Sequence, residues 1–208
     1  MIDIRYASIR ELDISNGEGV GAALFVQGCP FMCKNCFNPE TWDFNGGKEW
    51  TEKTKKEFLE LIDRPYIKRI SILGGEPLAE PNLDGVLDLI TTIREKYPIF
   101  EKSDSENPYK SRGLEVENPN KTRLFSDKTI WLYSGYTWEE IFNDGVYISK
   151  DAPGLKRRNI VKQCDVMVDG RYIDSQRNVS AKWRGSDNQR VISVQESLKQ
   201  NKVILYCD

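Results

Sequence analysis

The 208-residue chain contains no histidine. That absence removes His-ligated zinc, Ser-His-Asp and Cys-His nucleophilic catalysis, and imidazole proton shuttles from the chemistry open to it. Long apolar runs are missing too: the longest are strand-sized, far short of the roughly 20 residues that span a bilayer. The net charge of −2 gives no electrostatic footprint for nucleic acid or an anionic membrane. The N-terminal stretch MIDIRYASIRELDIS carries charges throughout and lacks the apolar block of a signal peptide. A cytoplasmic, reducing location is therefore expected, in which the five cysteines serve as ligands or buried thiols rather than disulfides. Chemistry in such a chain must run on thiolates, carboxylates, lysines, hydroxyls, backbone groups or a cofactor.

What is present reads as one soluble domain over residues 1–208, with a length that supports one substantial core. Strand-like runs recur at Ala22 to Gln27, Arg69 to Leu73, Thr129 to Tyr133 and Cys164 to Val168. Helical periodicity lies between them. TEKTKKEFLELIDR groups Phe58, Leu59, Leu61 and Ile62, with Thr51 as a cap, and PNLDGVLDLITTIREKY repeats apolar residues from Leu83 to Ile93. TWEEIFND is a shorter helix. Nearly all-apolar strands alternating with helices predict an α/β fold, a mostly parallel sheet covered by helices. Ligands of such sheets sit at the carboxyl ends of the strands. The loops QGC, LGGEP, YSGY and VDGRY each follow a strand there. From Ile99 to Lys128 the chain turns polar, charged and turn-rich, which predicts a long surface insertion at about 99–128. RVISV and KVILY add C-terminal strands or a hairpin without a fixed place.

The segment FVQGCPFMCKNCFNPETW holds Cys29, Cys33 and Cys36 in a C-x3-C-x2-C loop. A closed zinc site needs four ligands, usually as two separated pairs, and there is no second pair. Cys164 and Cys207 lie far off in apolar contexts and read as buried thiols. A [4Fe–4S] cluster suits three thiolates better, because it takes four ligands and leaves one iron open when the loop supplies only three. On this reading the loop stops at three because a cofactor takes the fourth position.

C-x3-C-x2-C after a first strand resembles the signature of the radical S-adenosylmethionine superfamily. The usual pattern has an aromatic residue just before the third cysteine; here Asn35 stands there and Phe37 follows. GCPFMCKNCFNPETWDFNGG, with VMVDGRYI and KWRGSDNQRVI (Lys182 to Ile192), resembles the activases of anaerobic ribonucleoside-triphosphate reductase over nearly the whole chain except the insertion.

The resemblance implies a partial (β/α) barrel of radical S-adenosylmethionine type. It implies cluster ligation by Cys29, Cys33 and Cys36, and an open iron chelated by S-adenosylmethionine. Asn35, Cys36, Phe37, Gly74, Gly75, Glu76 and Ser134 would bind the cofactors. Glu76 in LGGEP would accept from the cofactor's ammonium, though the same residues also make an ordinary strand-to-helix turn. The backbone of Ser134 to Tyr136 or the Ser134 hydroxyl would contact its ribose or methionine part, and a plain capping turn explains those residues equally.

The implied activity is that of a glycyl-radical-generating oxidoreductase. Reductive cleavage of S-adenosylmethionine yields a 5′-deoxyadenosyl radical that takes hydrogen from a glycine of the reductase. The partners are the large subunit of that reductase and an electron donor such as flavodoxin. No acid–base residue is required; the cofactors carry the chemistry. In WRGSDNQ, Trp183 reads as core, Arg184 as paired with a carboxylate, and Asn188 as turn support, or the segment docks the reductase's glycine loop.

GEGVGA, Gly17 to Ala22, matches a dinucleotide fingerprint but precedes a strand, so that reading fails. Three other readings remain. Another small radical enzyme, such as pyruvate formate-lyase activase, shares GGE-P-type motifs. A non-catalytic iron–sulfur carrier needs a fourth ligand from Cys164 or Cys207. A structural zinc module predicts a colourless protein.

Overall fold

The computed structural model describes residues 4–103, 122–142 and 152–207. In chain order the elements begin with β1 (Arg5–Asp13), β2 (Gly21–Val26), β3 (Lys48–Glu49), α1 (Glu52–Ile62), β4 (Arg69–Gly74) and α2 (Leu83–Lys96). They continue with β5 (Phe100–Ser103), β6 (Thr122–Phe125), β7 (Thr129–Tyr133), α3 (Trp138–Phe142), α4 (Pro153–Lys162), β8 (Val166–Asp169), β9 (Arg190–Ser193) and α5 (Val194–Gln200).

One sheet runs in the order β3-β1-β2-β4-β7-β8-β9. The pairs β2–β4, β4–β7 and β7–β8 are parallel, whereas β1, β3 and β9 join antiparallel. The sheet is therefore mixed, mainly parallel at its centre, and open, with β3 and β9 as its edges. Every residue of β2 (GAALFV) is buried, as expected of a parallel strand covered on both faces. Alternation then divides the side chains. Leu24, Val26, Ile70, Ile72, Ile130, Leu132 and Met167 pack against Phe58 and Ile62 of α1, Val86 and Ile90 of α2, and Ile160 of α4. On the opposite face Ala23, Phe25 and Leu73 form one small cluster, and Trp131, Val166, Val168 and Val191 another.

The Thr51 hydroxyl caps α1 by accepting from Thr54 N at 3.1 Å, and β7 has the bounds the sequence predicted. β8 starts at Val166 rather than Cys164, because Cys164 N still donates to Val161 O at the end of α4. KVILY is not a regular strand; it touches β9 at the Ile192–Leu205 bridge. The polar insertion begins and ends on an antiparallel ribbon, β5 against β6, and its middle, 104–121, lies outside the described residues. No described helix is long and apolar enough to cross a membrane.

Candidate functional site

β2, β4, β7 and β8 end on one side of the sheet, and the loops that follow them enclose a cleft of about 620 Å³. The cysteine loop leaves β2 at Gln27 and is closed at its base. Gly28 N donates to Thr41 O at 2.8 Å and Cys29 N to Trp42 O at 3.0 Å. The buried Gln27 amide adds bonds to Glu40 O at 3.0 Å and Asp43 O at 2.7 Å. Gly28 has φ +92°, and a Cβ there would lie 2.1 Å from the Phe44 ring, so only glycine fits. Met32 and Asn35 both have positive φ, which coils the loop tightly between its cysteines. Positive φ is ordinary for asparagine but unusual for methionine.

Cys29, Cys33 and Cys36 all line the cleft. Desolvation pushes the Cys29 thiol up to about 11, and it also raises Cys33, with the neighbouring Cys36 adding to the effect. Such thiols shed protons on binding a metal cluster, so loading is coupled to proton release. Asn38 N donates to Cys36 Sγ at 3.4 Å, the kind of amide-to-sulfur bond that tunes clusters. Among the described residues no three Cys, Asp or Glu side chains converge as ligands of a single ion; ligands of a multi-iron cluster stand round it instead. Three thiols on a loop closed at its base, lining one cleft with Phe25, Leu73 and Tyr133, fit a cuboidal iron–sulfur cluster.

The β4 loop supplies the second wall. Gly75 N donates to Val26 O and Glu76 N to Gly28 O, both at 2.8 Å, which fixes this loop to the start of the cysteine loop. A Cβ on Gly75 would lie 2.5 Å from Gly28 O, so the two backbones touch here without side chains between them. Glu76 is 1% exposed. Its Oε1 accepts from Leu78 N (2.8 Å) and Ser134 Oγ (2.8 Å), and its Oε2 from Gly135 N (2.7 Å). Desolvation outweighs these donors and lifts its carboxyl to about 7. Its carboxylate thus ties the β4 loop to the β7 loop from behind.

Of the residues singled out in the sequence, the cleft brings together Cys29, Cys33, Cys36, Phe37, Gly74, Gly75, Glu76 and Ser134. It does not include Asn35, whose amide instead donates to Asp174 Oδ2 at 2.9 Å. Phe37 stands edge-on to Tyr172, with ring centroids 5.1 Å apart. Arg184 also lines the cleft; among the described residues its buried Nε has no partner and no carboxylate pairs with it. Trp183 packs edge-on against Trp131 at 4.9 Å. The Asn188 amide donates to Arg171 O at 2.8 Å, a turn support. Phe31, Arg10, Arg171 and Tyr133 join the lining without having been singled out. Cys164 is buried, within hydrogen-bond distance (3.3 Å) of Ile160 O, and Cys207 packs beside Trp131; neither lines the cleft.

An α/β sheet that presents three thiols and two glycine-rich loops at its carboxyl edge defines an iron–sulfur cluster domain. Residues 15–107 and 114–192 match the family model described as 4Fe-4S single cluster domain, and the chain belongs to that family. Among curated relatives, the chain is 29% identical over 192 residues to the anaerobic ribonucleoside-triphosphate reductase-activating protein of Enterobacteria phage T4, covering 91% of this chain and 94% of that protein. It is 28% identical to the proteins of that name from Vibrio cholerae serotype O1, over 89% of this chain and 96% of that one, and from Escherichia coli K12, over 90% and 97%.

Proposed function

We propose that the chain activates an anaerobic ribonucleoside-triphosphate reductase, with a [4Fe–4S] cluster on Cys29, Cys33 and Cys36 and S-adenosylmethionine on the iron they leave open. When bound, these groups supply reductive cleavage of the cofactor's C–S bond and the 5′-deoxyadenosyl radical that removes hydrogen from a glycine of the reductase. The observation that carries the reading is the convergence of the three thiols and the Gly74–Glu76 and Ser134–Gly135 loops on one cleft.

The chain's own residues bind and orient. The closed base of the cysteine loop holds the three ligands in one arrangement, so little ordering remains to be done on loading. Because the Glu76 oxygens are occupied by Leu78, Ser134 and Gly135, the main-chain carbonyls of Gly74 and Gly75 take the role of accepting from the cofactor's ammonium. Phe25, Leu73 and Tyr133 keep water from the reacting face. The Lys182–Ile192 segment, with Arg184 in the cleft wall, docks the reductase. The barrel relationship of this open sheet to the radical S-adenosylmethionine fold, cytoplasmic residence and a flavodoxin-type electron donor belong to the same reading. A carrier function fits less well, since Cys164 and Cys207 both stand away from the cleft.

The test is incubation of the reconstituted chain with the reductase, S-adenosylmethionine and dithionite under anaerobic conditions. A glycyl-radical doublet in the reductase by electron paramagnetic resonance is expected. A reductase that stays radical-free while the chain's cluster is intact and reduced would overturn the assignment.

A further inference from the structure

The side chain of Asn82 is buried and carries two N–H groups. Carbonyl oxygens from two different loops converge on its Nδ2: Gln27 O at 3.0 Å, Glu76 O at 2.9 Å and, more distantly, Gly28 O at 3.4 Å. Gln27 and Gly28 are the last residues before Cys29, and Glu76 closes the β4 loop. Asn82 itself stands on neither loop. It ends the 3-10 turn Glu80–Asn82, where its N donates to Ala79 O at 2.9 Å, and it is followed at once by α2. α2 is anchored in the core by Leu83, Val86, Leu89 and Ile90. The amide is thus held by a rigid element and grips the roots of both walls of the cleft. Aspartate has the same shape but would set an anion against three carbonyls.

Resting on the reading of the site given above, we propose that Asn82 is a positioning residue: its amide holds the cysteine loop in register with the Gly74–Glu76 loop, so that cluster and S-adenosylmethionine meet in one geometry. It touches neither group. The direct bond from Glu76 N to Gly28 O remains without it, so the loops stay neighbours while their relative placement loosens.

The experiment compares Asn82→Ala, Asn82→Ser and a control, Val86→Ala, which thins the core beneath the same helix from a position on neither loop. Each is loaded with iron and sulfide under anaerobiosis. Iron content, S-adenosylmethionine dissociation constant, the change that S-adenosylmethionine causes in the reduced-cluster resonance, and amide exchange at Gly75 and Glu76 are then measured. Asn82→Ala is expected to keep its iron, bind S-adenosylmethionine at least about tenfold more weakly, blunt the resonance change, and exchange the two amides faster. Asn82→Ser, left with one donor, falls between it and the parent. Val86→Ala leaves binding and resonance as in the parent even where its thermal midpoint drops as far. Unchanged binding in both Asn82 variants overturns the proposal, as does an equal loss in Val86→Ala. If the unsubstituted chain holds iron yet binds no S-adenosylmethionine, the reading of the site fails, and the role of Asn82 toward that cofactor fails with it. Should Asn82→Ala not fold, Asn82→Ser decides by the same readouts.

Discussion

Glu76 sets two physical effects against each other. Three donors, Leu78 N, Ser134 Oγ and Gly135 N, favour the ionised carboxylate, while complete burial favours the acid. Desolvation wins, lifting the carboxyl from its ordinary 4.5 to about 7. Between those values the folded chain keeps a proton that the unfolded chain has released. The stabilising contribution is therefore fully present below pH 4.5 and is lost as pH rises to about 7. A shift of this size corresponds to about 3 kcal/mol.

Glu76→Gln removes the titration. It keeps an oxygen for Leu78 and Ser134 but turns an NH2 toward Gly135 N, at a loss of about 1 kcal/mol. Urea denaturation of parent and variant side by side at pH 5 and pH 8 cancels the other titrating groups. The variant is expected to gain about 2–3 kcal/mol relative to the parent on going from pH 5 to pH 8. A difference independent of pH, or one that moves the other way, would show that the donors hold Glu76 ionised and would refute the reasoning.

Cys164→Ser and Cys207→Ser, singly or together, are expected to leave iron content per chain unchanged, since neither residue lines the cleft; loss of the cluster would restore the electron-carrier reading. Arg69 is fully buried and pairs with Asp13 Oδ2 at 2.8 Å, so Arg69→Ala should cost about 3–5 kcal/mol by leaving that buried carboxylate without its buried charge partner, held by Asn16. A loss below about 1 kcal/mol in denaturant melts would contradict the pairing. The Tyr133 hydroxyl is buried and has no hydrogen-bond partner among the described residues, so Tyr133→Phe should leave stability unchanged or raise it by up to about 1 kcal/mol; a lowered melting midpoint would mean the hydroxyl is satisfied.

The parallel centre of the sheet was legible because its strands are apolar on both faces, and β2, β4 and β7 fall within a residue of their expected bounds. β1 was not. Arg5–Asp13 alternates only weakly and is mostly exposed or half-buried, because as an antiparallel strand near the edge it buries little. α4 escaped as well: its sequence, PGLKRRNIVK, buries only Gly154, Ile160 and Val161.

At the site, the cysteines announced themselves by spacing. Asn35 has φ 56° and donates its amide to Asp174, a contact 139 residues away that no local pattern encodes. Asn82 and Gln27 carried no signal of this role in the sequence, because what they do is bind carbonyls of loops that only the fold brings near. Glu76 was singled out for its charge; its burial and its three protein donors were invisible in LGGEP.

The most direct test of the central claim is production of 5′-deoxyadenosine. Protein reconstituted with iron and sulfide under strict anaerobiosis is given dithionite and S-adenosylmethionine, and the mixture is resolved by chromatography. The account predicts 5′-deoxyadenosine from the parent chain and none from Cys33→Ala. A parent chain with an intact, reducible cluster that releases no 5′-deoxyadenosine would contradict it.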